Sequence, residues 1–208
     1  MKERTSVSNA CLARLPRYLR LLKDRRESDI KTISSTDIAR ELKLKPIQVR
    51  KDLALVNEGS GKPGVGFEIN DLIYNIENYL GVRTKKNVII IGAGRLGQAL
   101  INYNGFENDI QIVMAFDKDK RKCNDKNIIY IDRLEEFVKK KRIKVAVLTI
   151  PGDDAQSICD RLVRLGVKAI WNFAPTNLKV PEGVVVKNED LSASLTMLLN
   201  KLKYEEDK

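Results

Sequence analysis

The segment VIIIGAGRLGQAL, residues 88–100, restricts the fold of this chain more than any other stretch. Four β-branched residues, Val88 to Ile91, run into Gly92-Ala93-Gly94-Arg95-Leu96-Gly97, and Gln98-Ala99-Leu100 continues with helical character. Strand, glycine turn and helix start in that order form a phosphate-binding turn. Gly92 permits the tight bend, Gly94 lets the backbone approach a pyrophosphate, and Gly97 allows helix and strand to pack closely. The free N–H groups at the helix start then face the phosphates with a positive dipole end.

From residue 85 onward the apolar runs NVIII, IQIVMAF, IIYI, KVAVLTI and VKAIWNF alternate with helical segments. This alternation predicts a Rossmann-like, doubly wound parallel α/β sheet. Helix starts are legible at Asp132 to Glu135 and at Asp153-Asp154. Asp117 closes the second run, where an acid can accept both hydroxyls of a ribose and repel a 2′-phosphate. NAD(H) is therefore favoured over NADP(H), with the neighbouring cations Lys118, Lys120 and Arg121 acting in the opposite sense. Thr149-Ile150-Pro151 and Asn172-Phe173-Ala174 follow the fourth and fifth runs, at the carboxyl strand ends where ligands sit in such sheets.

A partner for hydride chemistry is not visible. The chain has no histidine, and the stretch from residue 85 is long enough for the fold and little more. The site reads as one that gauges a coenzyme. A small NAD-dependent oxidoreductase and a CoA- or nucleotide-binding module remain alternatives at this point.

The first third differs. Residues 1–66 hold 15 Lys/Arg against 8 Asp/Glu, and residues 67–208 hold 23 against 20. Most of the net charge of +10 thus lies in the N-terminal segment, which suits an anionic partner such as nucleic acid. CLARLPRYLRLL has helical spacing, with Pro16 expected near the first turn or at a kink. SSTDIARELKL begins with Ser34 and Asp37 as a capping box, and Ser35 beside it is a candidate for contact with DNA, as are Lys45, Pro46, Gln48, Arg50, Lys51, Lys62 and Pro63 further on. A short turn containing Lys45 leads to Pro46, which starts PIQVRKDLALV. There Val49, Leu53 and Val56 share the buried face, while Gln48 and Lys51 point away and Arg50 flanks them. This is a helix-turn-helix, and GSGKPGVGF with Lys62 and Pro63 reads as its wing. The alternative is a plain interdomain loop. NDLIYNIENYL forms a connecting helix with Asn70 as cap and Gly81 past its end.

Domains are expected at 1–83 (winged helix-turn-helix), 84–188 (dinucleotide-binding) and 189–208 (a terminal helix). That last helix carries Leu191, Leu195, Leu198 and Leu202 on one stripe, which either covers its own sheet or docks on a second subunit. Cys11, Cys123 and Cys159 are widely spaced, and with no histidine they suggest reduced thiols and no metal site. No apolar run approaches the about 20 residues of a membrane span, and the first 30 residues are too charged for a signal peptide, so a cytoplasmic location is expected.

In order along nearly the whole chain, RLPRYLRLL, SSTDIARELKLKPIQVRKDL, KPGVGF, IIGAGRLGQAL with NYNGF, AFDKD, LTIPGDDAQ, NFAP and VPEGVVVKNEDL together resemble the Rex family of redox-sensing transcriptional repressors. The resemblance implies a homodimer that binds palindromic operator DNA through its winged helices. It implies sensing of the NADH/NAD⁺ ratio, with NADH closing the dimer and releasing DNA. It also implies a last helix exchanged between protomers, and a coupling set comprising Arg20, Tyr103 and Asp190. Two features depart from the family. An aromatic-rich stretch usually stands where this chain reads ALVNEGSGKPGVGF, and phenylalanine often occupies the nicotinamide-facing position of Leu191.

Overall fold

The computed structural model describes residues 8–56, 66–106 and 110–206. They form two compact units, Met1–Thr84 and Lys85–Lys208.

The first unit is helical. Helix α1 (Asn9–Glu27) starts where Ser8 accepts the amide of Cys11, and it buries Cys11, Leu15, Tyr18, Leu19 and Leu22. Pro16 is the eighth residue of this helix, which removes the first-turn alternative for it. Having no amide, Pro16 leaves the Leu12 carbonyl without its usual helical donor. Strand β1 (Thr32–Ile33) pairs antiparallel with β2 (Phe67–Glu68), a two-stranded sheet too short to show in the sequence pattern.

Helix α2 (Ser35–Leu42) is capped by the Ser34 hydroxyl, which accepts the Asp37 amide at 3.0 Å and donates to the Asp37 carboxylate at 2.6 Å. A turn at Lys43, left-handed at φ 53°, leads to α3 (Pro46–Val56). Helix α4 (Ile69–Leu80) begins earlier than expected, and Glu68, not Asn70, takes the cap position. Gly81 ends it at φ 69°, the conformation glycine adopts without a Cβ penalty. These helices share one apolar core that includes Ile38, Val49, Leu53, Leu72 and Ile76. Each such side chain contributes about 1.5–3 kcal/mol on burial.

The second unit is a six-stranded sheet: β3 (Lys86–Ile91), β4 (Ile110–Asp117), β5 (Ile128–Tyr130), β6 (Val145–Leu148), β7 (Ala169–Asn172) and β8 (Val185–Asn188). The spatial order is β5-β4-β3-β6-β7-β8, with all neighbours parallel. This is the doubly wound Rossmann order, and its reversal between β3 and β6 opens a crevice at their carboxyl ends. β3 is buried from Val88 to Ile91, as its continuous apolar run requires in a sheet covered on both faces.

Helices α5 (Arg95–Ile101), α6 (Leu134–Lys141) and α7 (Gly152–Arg164) make the crossovers. Asp132 does not cap α6: it lies in a preceding 3₁₀ turn, and the α6 cap position falls on Arg133. Asp153 and Asp154 stand in the first turn of α7, where their charge suits the helix dipole. The last helix, α8 (Leu191–Glu206), has no buried residue, which corrects the alternative that it covers its own sheet. Among the described residues no helix is long and apolar enough to cross a membrane, and no cluster of metal-binding side chains occurs.

Candidate functional site

The glycine turn between β3 and α5 is held from three sides. The Gly92 amide donates to the Phe116 carbonyl of β4 at 2.7 Å. From the end of β6, the Thr149 hydroxyl donates to the Gly92 carbonyl at 2.8 Å. Asp117 Oδ2 accepts the Ala93 amide at 2.7 Å. Gly92 has φ +100°, and a Cβ there would stand 2.6 Å from the Thr149 carbonyl oxygen. A Cβ on Gly97 would stand 2.0 Å from the Gly92 carbonyl oxygen, so this position admits only glycine. By contrast, a Cβ on Gly94 meets nothing within 4 Å. The first and last glycines shape the turn, and the middle one leaves space.

Asp117 is 5% exposed, and its carboxylate also accepts the Asp119 amide at 2.8 Å and the Lys122 ammonium at 3.2 Å. Burial pushes its pKa upward, but the Asp119 and Ala93 amides and Lys122 outweigh this and hold it below the ordinary 3.8. A carboxylate offers about four lone-pair sites, so an ionised acceptor remains for a ligand.

Two cavities flank the turn. One, of about 480 Å³, is lined by Gly92, Gly94, Asp117, Lys118, Thr149, Ile150 and Pro151 from the expected set, by Asp154, expected only as part of a helix start, and by Lys122 and Arg161, to which the sequence assigns no place in the site. Lys118 reaches across its mouth to Asp154 at 2.7 Å. The other, of about 630 Å³, is lined by Leu96, Phe173, Ala174, Asp190 and Leu191. Arg95 is exposed beside the turn, while Ala93 is buried beneath it.

Asn172 is fully buried. Its amide NH₂ lies within hydrogen-bond reach of the carbonyls of Ala174 and Thr176 and the side chain of Asn188, and its oxygen accepts the Ala174 amide. It shapes the loop that presents Phe173 and Ala174. Phe173 packs on Trp171 with centroids 4.6 Å apart, and Glu189 accepts the Trp171 indole N–H at 2.9 Å. Asp190 caps α8 by accepting the Ala193 amide at 2.8 Å. Tyr103 is exposed and sits edge-on to Phe106. Arg20 lies on α1 of the first unit, exposed.

On the first unit, Lys45, Arg50 and Lys51 are exposed, and Ser35 and Pro46 are half-buried at the helix starts. Ile47 is 64% exposed, and with Arg50, Lys51 and Ala54 it forms one open stripe of α3. Gln48 departs from expectation: it is half-buried and engaged by Arg14. Asp52, to which the sequence assigns no role, is 4% exposed and paired with Arg14 and Tyr18. Lys62 and Pro63 of the expected wing lie outside the described residues.

Residues 6–54 match a family model described as putative DNA-binding protein N-terminus, and residues 83–176 match one described as CoA binding domain. A protein of Thermoanaerobacter pseudethanolicus described as redox-sensing transcriptional repressor Rex is 40% identical over 211 residues, covering 99% of this chain and 94% of its own length. The chain belongs to the Rex family. A Rex of Treponema denticola is 44% identical over 190 residues, covering 89% and 90% of the two chains. Among solved structures, the Rex-family repressor RSP in complex with β-NAD⁺ and operator DNA superposes with a TM-score of 0.87 at 40% identity, covering 97% of this chain and 95% of that one. RSP in complex with β-NADH gives 0.84 at 39% identity, with 97% of each chain covered. The Rex relationship therefore spans both units.

Proposed function

We propose that this chain is a homodimeric transcriptional repressor that binds palindromic operator DNA and senses the NADH/NAD⁺ ratio, NADH closing the dimer and releasing the DNA. The carrying observation is that a glycine turn with a ribose-type acid and a helix-turn-helix occur in one chain, related throughout to RSP, whose structures hold NAD⁺ with operator DNA and NADH. The adenosine fits the cavity at Asp117, the pyrophosphate fits the open space over Gly94, and the nicotinamide fits the cavity at Leu96, Phe173 and Ala174.

In this reading the ring is bound and not reacted: the chain has no histidine, and the two described carboxylates at the second cavity each have a structural role, Glu189 accepting the Trp171 indole and Asp190 capping α8. Oxidation state then acts through binding alone, because a ligand shifts a conformational equilibrium only by its differential affinity for the two states. A reversal from 1:99 to 99:1 needs about 5.5 kcal/mol of such difference. Arg20, Tyr103 and Asp190 form the coupling set in this reading. The leucine stripe of α8, exposed in the single chain, is buried by the second subunit. The protein acts in the cytoplasm, where its operator is.

The CoA-binding family model favours a second reading. Asp117 argues against it, since the adenosine ribose of CoA carries a 3′-phosphate that an ionised, buried carboxylate repels. Fluorescence polarisation on a palindromic operator, with NAD⁺, NADH and CoA titrated separately, tests both readings. Release by NADH alone is expected. Equal operator binding with NAD⁺ and NADH overturns the proposal, and release by CoA favours the second reading.

A further inference from the structure

The interior side of α3 carries two polar residues one helical turn apart, Gln48 and Asp52, which therefore lie side by side. Arg14 of α1 spans both. Its Nε donates to Asp52 Oδ2 at 2.7 Å and its Nη2 to Oδ1 at 2.8 Å, a bidentate pair. The Tyr18 hydroxyl adds a bond to Oδ2 at 2.6 Å, so the buried carboxylate is held from two positions on α1. With its amide oxygen turned to the guanidinium, Gln48 accepts from Arg14 Nη1 at 3.1 Å and Nη2 at 3.2 Å.

A guanidinium has only donors, so the face of the amide that meets it must be the oxygen. Both lone pairs of that oxygen are then engaged. The two N–H donors stand on the opposite branch of the amide, on a half-buried residue between the exposed Ile47 and the exposed Arg50 and Lys51. Reading adenine bidentately requires both ends of a glutamine: the oxygen for the N6 amino group and the NH₂ for N7. Only the second half is available here. Its partner is a base acceptor, and N7 is present on both purines, with O6 beside it on guanine.

We propose that Arg14 is a positioning residue for sequence reading: it fixes Gln48 as a donor-only reader, so that the base pair it faces is read as a purine without selection for adenine over guanine. This inference rests on the operator-binding reading above and goes beyond it by assigning the chemistry of one contact.

The test measures polarisation at one salt concentration on a panel of operator duplexes carrying every single base-pair change in one half-site. Gln48→Met, similar in length and without polar atoms, identifies the base pair concerned as the one whose preference it flattens. At that pair the natural protein is expected to accept guanine as well as adenine or better. Arg14→Lys keeps a cation for Asp52 but cannot hold both lone pairs of Gln48, and is expected to raise the adenine-to-guanine ratio about fivefold or more. Gln48→Glu still accepts from Arg14 but presents an acceptor outward, and is expected to shift the preference to cytosine, whose N4 amino group donates. It decides the matter if Arg14→Lys does not fold.

A fivefold or greater preference for adenine over guanine in the natural protein overturns the proposal. So does a folded Arg14→Lys with an unchanged ratio, a Gln48→Glu with an unchanged preference, or a Gln48→Met that alters no position. If the natural protein binds no palindromic duplex at all, the repressor reading falls and takes this inference with it.

Discussion

Asp117 and Ala93, 24 residues apart, meet through a 2.7 Å hydrogen bond from the Ala93 amide to the carboxylate. The acid that faces the ribose in our reading thus also braces the phosphate turn. Replacing it affects both. Asp117→Asn sets an NH₂ against one of the two amides that the carboxylate accepts, and hydrogen bonds to charged groups contribute about 1.5–3 kcal/mol each. We expect NADH affinity, followed by coenzyme fluorescence, to fall about tenfold or more.

The same carboxyl predicts a pH effect. Its folded pKa is depressed below 3.8, so its contribution to stability is complete above that value and is lost as pH falls through the lower, folded value. Circular dichroism during acid titration is expected to show the Asp117→Asn protein already lacking this contribution at neutral pH, with the difference from the natural protein shrinking below pH 3.8.

Gly94 and Gly97 separate ligand binding from folding. Gly97→Ala drives a Cβ to 2.0 Å from a backbone oxygen and is expected to lower the melting temperature of the second unit. Gly94→Ala meets no protein atom within 4 Å and is expected to melt like the natural protein while losing NADH binding, because the methyl occupies the approach to the pyrophosphate. If Gly94→Ala binds NADH normally, the phosphates do not lie over the turn.

Asp52→Ala leaves Arg14 without its carboxylate partner in a mostly buried setting. Breaking such a pair costs about 3–5 kcal/mol. Urea unfolding is expected to show this loss in the first unit, with operator affinity falling and NADH affinity of the second unit retained.

For α8 the expectation concerns assembly. Leu191, Leu195, Leu198 and Leu202 are 53–64% exposed in the single chain. Leu198→Asp is expected to shift sedimentation from dimer to monomer, and to weaken operator binding by removing the link between two half-sites. A variant that remains dimeric places the subunit contact elsewhere.

Much of this architecture was legible because its signals are local. β3, the glycine turn and Asp117 follow from apolar continuity and spacing, and Pro46 and Gly81 mark helix ends through their own backbone preferences. β8 was missed because only Val186 of its four residues is even half-buried, so Val185–Asn188 at the sheet edge has no strong pattern. The burial of Asp52 and the half-burial of Gln48 were not legible for another reason. Charge and polarity normally mark a solvent face, and partners far away in sequence, Arg14 and Tyr18 of α1, make burial of the Asp52 carboxylate tolerable. Glu189 likewise acquires its role from Trp171 on the neighbouring strand, and Lys122 acquires its role from the turn that brings it back to Asp117.

Asn172 has a further consequence. Its amide is committed in every direction to the segment that follows β7 and to Asn188 of the edge strand, so the wall carrying Phe173 and Ala174 is cross-braced before any coenzyme arrives. A wall of that kind yields little to a ring that changes its charge and pucker. In our reading, the two redox forms then differ in how well each suits that wall, and not in how they reshape it.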